Sequence, residues 1–145
     1  MQLREIMTPK PEVIPPDARI ADAAKKMKEC DVSAVPVCDG DKLCGMITDR
    51  DITVRAVAEG RDPRETKVEE AMTKEIVYCF EDEDYEEAAR IMREHQIRRL
   101  PVLNRQKRLV GIVSLGDVSL KGDDDSVTSD TVEGVSSPTG SGRGH

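Results

Sequence analysis

The sequence predicts an α+β fold made of two tandem copies of one small unit, followed by an unstructured tail. A seven-residue stretch carries that expectation. It occurs as Gly45-Met46-Ile47-Thr48-Asp49-Arg50-Asp51 and again as Gly111-Ile112-Val113-Ser114-Leu115-Gly116-Asp117. Other pieces return at a fixed offset of 65: Leu3-x-Glu5-Ile6-Met7-Thr8 as Val68-x-Glu70-Ala71-Met72-Thr73, and Val35-Pro36-Val37 as Leu100-Pro101-Val102. Ile20, Ala23, Ala24 and Met27 likewise become Tyr85, Ala88, Ala89 and Met92, an apolar stripe spaced i, i+3, i+4, i+7 on an amphipathic helix.

Each unit opens with a short turn holding Met7 or Met72, then an extended piece around Val13-Ile14 or Ile76-Val77-Tyr78. The amphipathic helix follows over 20–30 or 85–95, with Asp17 or Asp82 near its start as a cap. Val35-Pro36-Val37 and Leu100-Pro101-Val102 read as strands, and proline, lacking a ladder donor, belongs near a strand edge or start. A polar turn leads to a second strand, Leu43–Ile47 or Leu109–Val113. The turn of the second copy is one residue longer, so the offset beyond it is 66, and insertions settle most easily in surface loops. A closing helix runs from about Arg50 to Glu59 with Gly60 as its C-terminal cap; in the second copy it stops after Val118-Ser119-Leu120. The boundaries expected are 1–60 and 68–120 for the two repeats and 61–67 for a linker containing Pro63. Residues 121–145 are rich in Gly, Asp, Ser and Thr, carry no periodicity, and read as a disordered tail, solvated or regulatory.

Composition narrows the function classes. Of 145 residues, 2% are aromatic, so Val, Ile, Leu, Met and Ala must form the core. A net charge of −7 argues against nucleic acid as a partner. No apolar run is long enough to span a bilayer, and the N-terminus lacks a signal peptide's apolar stretch, so a cytoplasmic location and no membrane partner are expected. Cys30, Cys38, Cys44 and Cys79 show no CxxC pairing and read as free thiols; a zinc site joining Cys30, Cys38 or Cys44 to His95 matches no standard ligand spacing. A Gly-x-Ser-x-Gly elbow, a P-loop and GxGxxG are all missing, so the chain is not expected to be an enzyme. His95, ending the second helix, suits the negative end of the helix dipole, and Met7, Met27, Met72 and Met92 suit packing.

Taken in order and twice over, Ile6-Met7-Thr8, the amphipathic helix, Val35-Pro36-Val37 and Gly45–Asp51 resemble the CBS domain, named after cystathionine β-synthase. The resemblance covers residues 1 to about 120 and implies two tandem β-α-β-β-α repeats packed about a pseudo-two-fold axis, a stand-alone Bateman module. It further implies clefts between the repeats that take an adenosine-containing ligand (AMP, ADP, ATP, S-adenosylmethionine or NAD), a regulatory role, a homodimer, and no required cofactor or metal. Carried over onto this sequence, the family pattern makes Asp51 and Asp117 the ribose binders, with Thr48 and Ser114 as their hydroxyl partners.

The residue types suit that ligand. A carboxylate offers two acceptor oxygens to the vicinal hydroxyls of a ribose. Gly45 and Gly111 allow a close approach of ligand or neighbouring strand. Val13, Val35, Val77 and Leu100 are expected as apolar walls around adenine. The copies differ: Arg98-Arg99 precedes the second strand where the first copy has Ser33-Ala34, and arginine suits planar contact with phosphate. Ser114, Asp117, Arg98 and Arg99 are therefore expected to serve a phosphorylated ligand best, although two arginines also suit a solvated surface. Thr/Ser-x-x-Asp equally fits a helix capping box, which needs no ligand. A second function class stays open on that ground: a ligand-free structural or dimerisation module acting on a protein partner.

Overall fold

The computed structural model describes residues 1–121, so the expectation of a disordered tail beyond them lies outside the described residues. In chain order come a 3-10 turn (Leu3–Glu5), β1 (Thr8–Pro9), α1 (Ile20–Cys30), β2 (Ala34–Asp39), β3 (Lys42–Thr48) and α2 (Asp49–Asp51). A π-helical stretch (Ile52–Val57) continues α2, followed by α3 (Val68–Ala71), β4 (Cys79–Phe80), α4 (Tyr85–His95), β5 (Arg99–Leu103), β6 (Leu109–Ser114) and α5 (Leu115–Lys121). The mixed helix and strand content is that of the α+β class read from the sequence.

The described residues form two compact units: Glu12–Ile76, and Met1–Pro11 together with those that follow from Val77. These units divide the chain elsewhere than the sequence repeats do. Each repeat's Met-Thr segment lies in the unit built around the other repeat's hairpin.

In the unit Glu12–Ile76, β2 and β3 form an antiparallel hairpin in which Val35 faces Ile47 and Val37 faces Gly45. Ile14 bridges Val37 in parallel on one side of the hairpin, and Thr73 bridges Met46 antiparallel on the other. Ile14, Ile20, Ala23, Met27, Val35 and Val37 are among the buried residues of its core. Burying each such side chain contributes roughly 1.5–3 kcal/mol, less for alanine. Pro36 lies in β2, an edge strand of this two-stranded sheet, as expected for proline. Its carbonyl accepts from Ile14 N, so its donorless nitrogen faces a neighbour that is only a single bridge residue long.

In the other unit, β1, β6, β5 and β4 form a four-stranded sheet in that order, with β4 parallel to β5 and the remaining pairs antiparallel. Leu3, Cys79, Tyr85, Ala88, Met92, Leu100, Val102, Val113 and Val118 are buried together beneath α4 and α5. The longer loop between β5 and β6 is organised by Asn104, whose Oδ1 accepts from Gln106 N at 3.0 Å and Arg108 N at 2.9 Å.

Three local expectations need correction. The extended piece of the second copy is Cys79–Phe80, immediately after Tyr78, because those residues reach the Val102-Leu103 edge. The helix starts are satisfied elsewhere: Arg19 N donates to Asp22 Oδ2 at 3.0 Å, and Asp84 Oδ1 accepts from Glu86 N at 3.1 Å. Asp82 instead pairs with Arg105 at 2.9 Å, which holds its carboxyl below the usual range. Finally, Ala24 is exposed whereas Ala89 is buried. The flank of α4 that carries Ala89 belongs to a core completed by Val118 of α5, and the corresponding flank of α1 is uncovered.

Candidate functional site

Both Thr/Ser-x-x-Asp stretches fall where a strand hands over to a helix. At the first corner Thr48 ends β3 in extended conformation, its Oγ1 accepts from Asp51 N at 3.0 Å, and Thr48 N donates to Asp51 Oδ2 at 3.0 Å. At the second corner, Asp117 N donates to Ser114 Oγ at 3.1 Å and Ser114 N to Asp117 Oδ2 at 2.8 Å. Both are reciprocal capping boxes, which satisfy the orphan donors of a helix start. The residue just ahead of each hairpin's first strand ties down the corner: Asp49 N donates to Ser33 O at 2.9 Å, and Leu115 N to Arg98 O at 2.8 Å. Thus Arg98 is tied to the corner through its own backbone, and Arg99 stands opposite Ser114 across the β5–β6 ladder.

The two carboxylates differ in what else they meet. Asp51 is only 7% exposed. Thr73 Oγ1 donates to its Oδ1 at 3.1 Å and approaches Oδ2 at 3.3 Å, and Arg55 Nε lies 3.8 Å from Oδ1. Arg55 Nη1 also donates to Met72 O at 3.1 Å. Asp117 is half-buried, and among the described residues its Oδ1 has no hydrogen-bond partner. The Nε atoms of Arg98 and Arg99 are buried and likewise lack a partner among the described residues. A buried donor left without an acceptor is unfavourable, more so on a charged group.

Gly45 and Gly111 have their explanation in a neighbouring strand. A Cβ on Gly45 would stand 2.6 Å from Thr73 O and 2.9 Å from Met72 Sδ. One on Gly111 would stand 2.3 Å from Met7 Sδ and 3.0 Å from Thr8 O. Among the expected adenine walls, Val35 and Leu100 are 1% and 0% exposed and lie within the two cores. Val13 and Val77 are half-buried, one in each unit.

Thr73 and Arg55 were not legible as site residues. Thr73 does recur as Thr8 at the constant offset, and Arg55 stands one turn after Asp51, but neither pattern says which strand edge Thr73 joins. An open cleft of about 710 Å³ lies against both, lined also by Glu69, Glu70, Met72, Lys74 and Glu75.

Burial pushes the thiol of Cys38 up to about 11 and that of Cys79 up to about 12, so both behave as small apolar groups. Cys30, Cys38 and Cys44 belong to one compact unit and His95 to the other. Among the described residues no three His, Cys, Asp or Glu side chains gather to hold a metal ion. No helix among them is long and apolar enough to cross a membrane.

Comparison with known proteins places these corners in context. The family model for the CBS domain matches twice, at residues 3–57 and 68–121. A CBS domain-containing protein of Bacillus subtilis, YhcV, is 42% identical over 118 residues, covering 81% of this chain and 83% of its own length. The crystal structure of Hypoxic Response Protein I, which holds two coordinated zinc ions, is similar at a TM-score of 0.77 and 36% identity, over 83% of this chain and 98% of that one. The structure of CBSX2 in complex with AMP is similar at a TM-score of 0.70 and 28% identity, over 81% and 92%.

Proposed function

The chain belongs to the CBS-domain family as a tandem pair, and from that premise we propose that it is a regulatory module binding an adenosine nucleotide at the Asp117 corner. The observation that carries this reading is the open Oδ1 of Asp117 in a corner whose backbone partners, Arg98 and Arg99, have unpartnered Nε atoms. In this reading Asp117 accepts from a ribose hydroxyl while Ser114 N holds its other oxygen. Arg98 and Arg99 take the phosphates, and Val77 meets the base. The AMP bound by CBSX2 supports the ligand class. The ligand is a signal and undergoes no reaction.

A hydrogen bond to a charged group is worth about 1.5–3 kcal/mol. Asp117→Ala is therefore expected to weaken ADP binding about 10- to 100-fold. The double variant Arg98→Ala, Arg99→Ala is expected to lose as much or more, and to discriminate less between ADP and adenosine. A thermal-shift panel of AMP, ADP, ATP, NAD and S-adenosylmethionine on the unsubstituted chain and on Asp117→Ala tests the reading, since a ligand of the folded state alone must raise its stability. A shift that survives both variants would exclude this corner.

The second reading, a ligand-free module acting on a protein partner, draws on one observation: both hydroxyl–carboxylate pairs form helix caps, which need no ligand. No shift with any nucleotide would select it.

A further inference from the structure

We infer that Thr73 and Arg55 gate the carboxylate of Asp51, so that a nucleotide takes the first-repeat corner only by displacing the Thr73 hydroxyl and loosening the segment Met72–Ile76. The inference rests on the proposed role of these aspartates as ribose acceptors. It adds that the two corners are not two equal sites: one is open, the other is held shut by the protein's own hydroxyl.

The geometry is specific. Thr73 Oγ1 sits between both oxygens of Asp51, at 3.1 and 3.3 Å, where a ribose hydroxyl would have to donate. The remaining approaches are filled by Thr48 N at 3.0 Å and Arg55 Nε at 3.8 Å, and the carboxyl residue is 7% exposed. The same segment is held by its backbone, Thr73 N donating to Met46 O at 2.8 Å and Met46 N to Thr73 O at 3.0 Å. Arg55 adds its contact to Met72 O. Lys74 and Glu75, which follow, are exposed, and the unit ends at Ile76. One side of the latch faces the cleft lined by Thr73 and Arg55, so an incoming hydroxyl can reach it without crossing the core.

The other unit supplies the contrast. Thr8 occupies the place of Thr73, pairing with Ile112 as Thr73 pairs with Met46. Yet Thr8 is exposed, and among the described residues its hydroxyl does not bond to Asp117. A ligand that binds where a protein group already sits must compete with it, and whatever that group was holding responds to occupancy. The Asp51 corner is coupled to its own segment in this way; the Asp117 corner is not.

The test uses the full chain carrying Asp117→Ala, so that ADP titration reads the Asp51 corner. Thr73→Val keeps the shape and the backbone pair to Met46 but removes the hydroxyl. It is expected to bind ADP about tenfold more tightly than its Asp117→Ala parent, equivalent to about 1.4 kcal/mol. Thr73→Ser, which keeps the hydroxyl, is expected to match the parent. Saturating ADP is also expected to quicken amide exchange at Thr73 in the parent. A Thr73→Val chain no tighter than the parent overturns the inference, as does a Thr73→Ser chain as tight as Thr73→Val, or exchange at Thr73 unmoved by ADP. If the unsubstituted chain also binds no ADP, the nucleotide reading is overturned with it; if that chain binds through Asp117, the gate alone fails.

Discussion

Replacing Gly45 by alanine tests whether the Met-Thr segment is what the repeated glycine accommodates. The new Cβ meets Thr73 O at 2.6 Å, a backbone atom, so relief requires moving the segment. That movement strains both bonds between Met46 and Thr73, now 3.0 and 2.8 Å. Each is worth about 1 kcal/mol net, and overpacking adds about 1–3 kcal/mol. Against this, alanine lowers the entropy of the unfolded chain by about 0.4–1 kcal/mol. Because the two bonds are weakened rather than lost, the expected net loss is about 2–3 kcal/mol. Gly111→Ala differs in kind. Its two closest atoms are Met7 Sδ and Cγ, the far part of a flexible side chain, while Thr8 O stands at 3.0 Å. The methionine can swing aside, and a loss of about 1 kcal/mol is expected. Urea unfolding followed by circular dichroism separates the two. With a slope of about 1–3 kcal/mol/M, Gly45→Ala should lower the midpoint by roughly 1 M or more, about twice the effect of Gly111→Ala. A Gly111→Ala chain as unstable as Gly45→Ala would refute the distinction between a backbone and a side-chain obstacle.

Further outcomes follow from the same geometry. Asp51→Ala is expected to destabilise the chain by about 2–3 kcal/mol, since it strips partners from Thr48, Thr73 and Arg55, whereas Asp117→Ala loses mainly a cap, about 1 kcal/mol; urea midpoints of the two variants check the order. Cys38 and Cys79, with thiols raised to about 11 and 12 by burial, stay protonated when folded at a pH where the unfolded chain has ionised. The unfolded state then binds fewer protons, so stability should fall as pH rises from about 9 toward 11, while the thiol contribution is constant below that window; Cys79→Ala should flatten the fall in a pH series of unfolding curves. Chain cuts probe the exchanged segments: a fragment 12–76 keeps Thr73 on Met46 and should unfold cooperatively, whereas a fragment 1–60 lacks Val68, Ala71 and Met72 from its core and should not.

Much of this protein was determined by sequence alone, because the decisive interactions are local. Thr48 caps Asp51, and Ser114 caps Asp117, across three residues, a distance that spacing fixes. The stripe Tyr85, Ala88, Ala89, Met92 is set by the helical period, and the two strands of each hairpin by the polar turn between them. Two copies at an offset of 65, and of 66 beyond the polar turn, then reveal the repeat and the family. Tertiary structure alone decided which edge each Met-Thr segment joins. Thr73 and Met46 are far apart in the chain, and a one-residue bridge carries no periodic signal. The same long-range choice buried Val35 and Leu100, left Ala24 exposed, and placed a hydroxyl and a guanidinium on Asp51 while leaving Asp117 open. Identical motifs acquire different chemistry because a carboxylate's free acceptors depend on which distant donors the fold brings to it.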